Sequence, residues 1–334
     1  MGARLATPKF PDTERLAAGL VEVLQHRKPD GNVTIIGRKP NPQESTFPSE
    51  IVTCRLDDES LLRLFCKYGN REFDSVYNHR GNVSYEGKVY REILQPLHIS
   101  TPTFYGVFSD RTAGTEWLII EYVEEGVRTL WSSDPNANLQ AARWIGRFHA
   151  TNEKRLDRAQ LSFLKRYDSE YYIGWARRTV QSFGHLTDFP WLLPVCEGFE
   201  KTHQRLLKAS QTVIHGEYYG NNIMYQNGIS RPADWQSAAI GPGEIDLAAL
   251  THMWPPRIVQ ECEREYTVSR WPDGSTDDFE DTLDLARVYM NLRWLGDPSN
   301  VALWARRSKG AAVPEKSREF IEELRSLGER LGLA

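Results

Sequence analysis

The stretch VIHGEYYGNNIMYQNG at residues 213–228, continued by ISRPADWQSAAIGPGEIDLAAL at 229–250, decides how this chain is read. His215, Glu217 and Asn222 crowd between short apolar runs, with Gly216 and Gly220 among them. A half-buried strand alternates its polar residues, and two nearby glycines disfavour a helix, so the segment reads as a loop that presents side chains. Gln226-Asn227-Gly228 between short apolar runs is a tight-turn signal, which makes IMY and ISRP a hairpin. A hairpin brings its ends together and so is expected to set Asn222 beside Asp234. One amide oxygen and one carboxylate, completed by water and phosphate oxygens, suit Mg²⁺, which keeps several waters and few protein ligands. Glu217 lies one turn earlier, placed to take a proton from an incoming hydroxyl. Positioning and charge neutralisation supply most of the catalysis in phosphoryl transfer, and this layout provides both. Taken singly, Asn222 and Asp234 are ordinary turn residues; their joint spacing with Glu217 and Asp246 is what singles them out.

Outward from this block the chain divides into two regions. VTIIGR (33–38), EIVTCRL (50–56) and LLRLFCKYG (61–69) read as strands. In EGKVYREILQPL, Val89, Ile93 and Leu97 recur at helical spacing. Two more strands follow at 103–110 and 115–123. Residues 1–124 therefore form a β-rich lobe of five strands and one helix. Residues 125–334 read as mostly helical, with helices over 140–150, 166–182, 195–209, 243–253, 277–296 and 315–331. Phe320, Leu324, Leu327 and Leu331 form an apolar stripe on the last of these, a core-packing face. His149 reads as a core residue and His215 as a loop residue that shapes the turn.

The pattern HGE-x₄-N, a following Asp-Trp and GPGEIDLA resembles the aminoglycoside phosphotransferase and choline kinase family. The resemblance extends over most of the chain and implies a bilobal, α+β protein-kinase-like fold. It implies ATP (or GTP) and Mg²⁺ as cofactors, and a small-molecule hydroxyl as acceptor. Residue by residue, it implies Glu217 as the catalytic base and Asn222 and Asp234 as magnesium ligands. Asp246 would brace the catalytic loop and the backbone from Glu121 to Val123 would contact the adenine. Lys67 would hold the α- and β-phosphates, paired with Glu86 or, alternatively, Glu92. Lys67 follows Leu62, Leu64, Phe65 and Cys66, an odd place for a surface charge, whereas Glu86 alone is an ordinary acid at a helix N-terminus.

Two departures bear on activity. The family's usual catalytic aspartate is Glu217 here, and the extra methylene moves the carboxylate by about 1.5 Å. A misplacement of that order costs about 10²-fold in rate. Either the loop is reshaped around Tyr218 and Tyr219, or transfer is slow or absent and the fold binds its ligand in a sequestering or regulatory role. The phosphate-covering loop, GRKPNPQESTFPSE (37–50), carries Pro40, Pro42 and Pro48 where a glycine-rich loop is usual. The hydroxyls of Ser45, Thr46 and Ser49 are candidate substitutes for its missing backbone donors.

Eleven residues separate Asp234 from Asp246, too few for a peptide-holding activation segment. The acidic run DGSTDDFEDTLD (273–284) reads either as a receptor for a polycationic aminoglycoside or as a capped helix start, with Ser275 or Thr276 as N-cap. The aromatic residues of this lobe, among them Tyr171, Trp175, Trp254 and Trp294, fit core packing or stacking on a sugar-like or ammonium ligand. A net charge of −4 shows no basic excess for nucleic acid. No apolar run approaches the roughly 20 residues of a membrane helix, and Ala6 spoils a myristoylation pattern. Four scattered cysteines point to reduced, buried thiols. A cytoplasmic monomer or homodimer is expected.

Overall fold

The computed structural model describes residues 10–25, 32–43, 46–70, 75, 78–111, 113–275, 278–307 and 314–333. Two compact units emerge, one running to Val127 and taking in Arg231–Ser237, the other made of Arg128–Ser230 and the chain from Ala238 onward. Asp234 thus belongs to the first unit, and Glu217, Asn222 and Asp246 to the second.

Helix α1 (Thr13–Leu24) opens the first unit, capped by Asp12, whose carboxylate accepts from the Arg15 N–H at 2.7 Å. Strands β1 (Val33–Pro40), β2 (Ser49–Leu56) and β3 (Leu61–Asn70) come next. After them come α2 (Val83–Val89), a π turn at Tyr90–Leu94, α3 (Gln95–Leu97), β4 (Phe104–Asp110) and β5 (Thr115–Glu121). The five strands form an antiparallel sheet in the order β1-β2-β3-β5-β4. Leu64, Cys66 and Tyr68 of β3 share one core with Leu16, Leu20 and Val23 of α1. Each buried leucine there contributes about 1.5–3 kcal/mol. Successive strand residues point to opposite faces, so Lys67 projects to the other side, toward α2. Helix α2 lies close on the sheet at Gly87, where a Cβ would come 2.2 Å from Val107 Cγ2. The sequence reading expects one helix in this region. The structure adds α1, which covers the sheet face that Leu64, Cys66 and Tyr68 would otherwise expose.

The two-residue strand β6 (Val127–Arg128) falls on the boundary, and the second unit continues with α4 (Asn136–Glu153), β7 (Lys165–Arg166), α5 (Ser169–Phe183), α6 (Leu192–Thr202) and α7 (Gln204–Lys208). Strand β8 (Gln211–Ile214) precedes the loop that opens the sequence argument, and β9 (Ile223–Gln226) and β10 (Ile229–Pro232) follow it. Asn227 and Gly228, with φ of 51° and 79°, make the tight turn between them. Strand β11 (Ala239–Pro242) lies between β7 and β8, and Ala239 faces both Lys165 and Ile214. Helices α8 (Glu244–Thr251), α9 (Pro256–Arg270), α10 (Phe279–Gly296), α11 (Pro298–Arg307) and α12 (Glu315–Leu331) complete the unit. α10 is buried on most of its circumference and packs on α5, α8 and α12. On α12 Phe320, Leu324 and Leu327 are buried while Leu331 is only half-buried; Leu333 closes that end of the core. The N-cap of α10 is Asp278 and makes no capping bond, which corrects the expectation of Ser275; Thr276 lies outside the described residues. All four cysteines are free and buried, and burial pushes Cys54, Cys196 and Cys262 up to about 12. Among the described residues no helix is long and apolar enough to cross a membrane.

Candidate active site

The first unit contributes an ion cluster. Lys67 Nζ lies 2.7 Å from Glu86 Oε2 and 2.6 Å from Asp234 Oδ1. The Lys67 and Glu86 side chains are 4% and 0% exposed, whereas Asp234 is 32% exposed. The second oxygen of Glu86 accepts from the Trp235 N–H at 3.1 Å, so one carboxylate ties α2 both to β3 and to the 231–237 segment. Glu92, the alternative partner for Lys67, sits in the π turn. Burial draws the Lys67 ammonium down, but Asp234 and Glu86 outweigh it; its pKa is raised and the group stays charged. Burial pushes the Glu86 carboxyl up against the opposing pull of Lys67 and the Trp235 N–H. Asp234 has φ 66°, a left-handed conformation that aspartate tolerates better than most residues.

Other residues of the first unit singled out by sequence are placed less directly. Ser49 stands on β2 opposite Lys67, buried, its hydroxyl accepting from Asn41 Nδ2 at 3.0 Å. Thr46 Oγ1 accepts from Gln236 Nε2 at 3.3 Å, and Ser45 lies outside the described residues. The Glu121 side chain is committed inside the unit, to Thr103 at 2.7 Å and Arg231 at 2.9 Å. The Val123 carbonyl accepts from the Gly126 N–H at 3.2 Å.

The second unit contributes the loop. Asp246, fully buried at the start of α8, accepts from the N–H groups of His215 at 2.6 Å and Gly216 at 2.9 Å. Gly216 has φ 82°, which lets the chain turn there. His215 Nδ1 accepts from the Glu217 N–H at 3.3 Å, and the Glu217 carbonyl accepts from the Tyr219 N–H at 2.8 Å. Asn222 Nδ2 donates to that same carbonyl at 2.9 Å, which fixes the amide and leaves Oδ1 as its acceptor for a ligand. Asn222 Oδ1 in the second unit and the Asp234 carboxylate in the first, a third exposed, are each a hard oxygen donor of the kind Mg²⁺ takes.

Arg293, which sequence reading missed, stands beside Glu217. It is 1% exposed on α10, with Nη1 at 3.4 Å from Glu217 Oε1 and Nη2 donating to the Tyr219 hydroxyl. Trp294 Nε1 donates to the same hydroxyl at 2.6 Å. Burial pulls the guanidinium down, while Tyr219 and Glu217 more than offset this and keep it charged. Burial also pulls Lys165 down to about 8, against the attraction of Glu217. The available signal for Arg293 was the single charge in the mostly apolar VYMNLRWLG. In the acidic run, Asp281 pairs with Arg205, and Asp284 pairs with Arg287 at 2.8 Å and with Arg330 at 2.6 Å.

His149, read as a core residue, is a brace. Its Nε2 meets Asp246 Oδ2 at 3.1 Å and its Nδ1 meets the Tyr266 hydroxyl at 3.0 Å. This network assigns the ring proton to Nε2, with Nδ1 as acceptor. Burial lowers the His149 pKa, against the opposing pull of Asp246. The unfolded chain therefore takes up a proton below about pH 6.5 that the folded chain refuses, and stability falls as pH drops. Urea unfolding at pH 7.5, 6.5 and 5.5 is expected to show a stability loss approaching about 1.4 kcal/mol per pH unit from this site. In His149→Gln that increment disappears; an unchanged slope would mean that His149 already titrates normally in the fold.

Against known proteins, the sequence model of the phosphotransferase enzyme family matches residues 81–274, more than half of the 334-residue chain. No curated protein sequence matches. A choline/ethanolamine kinase family protein from Mesorhizobium loti superposes with a TM-score of 0.60 at 11% identity, covering 96% of this chain and 97% of that one. The GDP complex of a point mutant of an aminoglycoside 2'-phosphotransferase gives 0.60 at 14% identity, over 94% and 98% of the two chains. The choline kinase LicA from Streptococcus pneumoniae gives 0.59 at 11% identity, over 94% and 99%. At these identities the likeness shows the fold, an α+β protein-kinase-like fold with a β-rich first unit and a helical second.

Proposed function

Since the chain belongs to the phosphotransferase enzyme family, whose activity is phosphate transfer to small molecules, we propose that it moves the γ-phosphate of ATP or GTP to a hydroxyl of an aminoglycoside-like antibiotic, a related natural product or an amino-alcohol. The observation that carries this reading is the Lys67 cluster. A fully buried ammonium is costly unless paired, yet one of its two carboxylates, Asp234, remains a third exposed and open to a ligand. Lys67, held by Glu86, binds the α- and β-phosphates, and the backbone at Glu121–Val123 receives the base. Asn222 and Asp234 hold Mg²⁺, which when bound neutralises phosphate charge and orients the transferred group. Glu217 accepts the hydroxyl proton, while Asp246 and His215 keep its loop in shape. The names of the structural neighbours, choline kinases and an aminoglycoside phosphotransferase, favour an acceptor that carries both amine and hydroxyl groups.

The second reading is a protein that binds nucleotide or a small molecule without efficient transfer, in a sequestering or regulatory role, since Glu217 replaces the family's usual aspartate. Thermal melts with Mg²⁺-ATP and Mg²⁺-GTP test the first reading. Saturating nucleotide at 100 times its Kd is expected to add about 2.7 kcal/mol of stability. No shift with either nucleotide would contradict the transfer reading and favour the second, with a small molecule as its ligand.

A further inference from the structure

We propose that Arg293 is the positioning residue for Glu217, holding its carboxylate through the Nη1–Oε1 contact so that a glutamate serves where the resembled family carries aspartate. This rests on the reading of Glu217 as proton acceptor.

Arg293 lies in the middle of α10, nearly the most buried helix of its unit. A guanidinium there persists only with its donors satisfied. One amino group goes to the Tyr219 hydroxyl and the other faces Glu217, and the cation lies 5.3 Å from the Trp294 ring centre. Tyr219 is itself fixed by the Trp294 indole N–H, so the position of the guanidinium is set from two sides. Glutamate carries one more torsion than aspartate, and a fixed cation at its end removes that freedom. Shortening the side chain by one methylene, about 1.5 Å, withdraws the carboxylate from a contact that is already 3.4 Å long. The glutamate and the arginine thus form a matched pair.

The test uses the whole chain and Mg²⁺-ATP, with water as acceptor and ADP release as readout. In Arg293→Gln, kcat is expected to fall about 10²-fold with the KM for ATP within about twofold, and Arg293→Lys should restore part of the loss. Glu217→Asp, although it installs the family's usual acid, is expected to lose about 10²-fold in kcat. Full activity in Glu217→Asp, or native kcat in Arg293→Gln, overturns the proposal. Should Arg293→Gln not fold, Tyr219→Phe removes one of the partners of Arg293 and is expected to lower kcat by a smaller factor, again with the KM for ATP nearly unchanged. If native protein neither binds Mg²⁺-ATP nor releases ADP, the phosphotransfer reading fails; if it does both and Arg293→Gln or Tyr219→Phe keeps native kcat, the pairing alone fails.

Discussion

Asp246→Ala is expected to lower the melting temperature by roughly 5 °C or more and to abolish phosphate transfer. The carboxylate accepts from two backbone N–H groups and from His149, all in a fully buried setting. Hydrogen bonds to a charged group are worth about 1.5–3 kcal/mol each. Deleting the acceptor strands the His215 and Gly216 N–H groups, and the loss is about 3–5 kcal/mol, the scale found for breaking buried charged pairs. The loop then loses the restraint that sets the direction of Glu217. Asp246→Asn keeps one acceptor oxygen and should fall between the two. Melts of both variants check the order, and Asp246→Ala melting within about 2 °C of native protein would contradict the bracing role.

Lys67→Met is the second large effect, in the other unit. It leaves Glu86 fully buried with the Trp235 N–H as its remaining partner in the cluster. Breaking a buried pair from one side costs about 3–5 kcal/mol. Burial already pushes the Glu86 carboxyl up, and without the ammonium it rises further. A raised carboxyl opposes folding above its unfolded value of about 4.3, so the deficit of the variant should narrow as pH is lowered from 7 toward 5. The double variant Lys67→Met/Glu86→Gln removes both charges and is expected to recover much of the stability, though no activity. Chemical denaturation at pH 7 and pH 5 separates these outcomes. A double variant no more stable than Lys67→Met would rule out the buried charge as the cause.

The elements legible in the sequence were those with local signals. Strands β1 to β5 announced themselves by short β-branched runs, the hairpin by Asn227-Gly228, and the loop by polar residues at unusual density. Lys67 could be singled out because alternation on β3 puts it between residues that must be buried. Helix α1 was missed although Asp12 and the spacing of Leu16, Leu20 and Val23 mark it, because the burial of that face depends on a sheet formed later in the chain. Helix α9 escaped notice for another reason: Cys262, Tyr266 and Arg270 are its buried residues, too few for an apolar stripe. Arg293 stands 76 residues beyond Glu217, and no spacing rule links them. His149 is buried, as its sequence setting indicates, but its pairing with Asp246, 97 residues away, left no local signal. Contacts made by a single buried charge across such separations follow from packing, which no local pattern records.

The proposed phosphate transfer depends on Asp234. ADP formation from Mg²⁺-ATP should be measured for native protein and Asp234→Ala across aminoglycosides, choline, sugars and amino-alcohols. Native protein is expected to turn over with at least one acceptor, and Asp234→Ala to lose about 10²-fold or more of that rate. Turnover that survives Asp234→Ala at the native level would contradict the central claim.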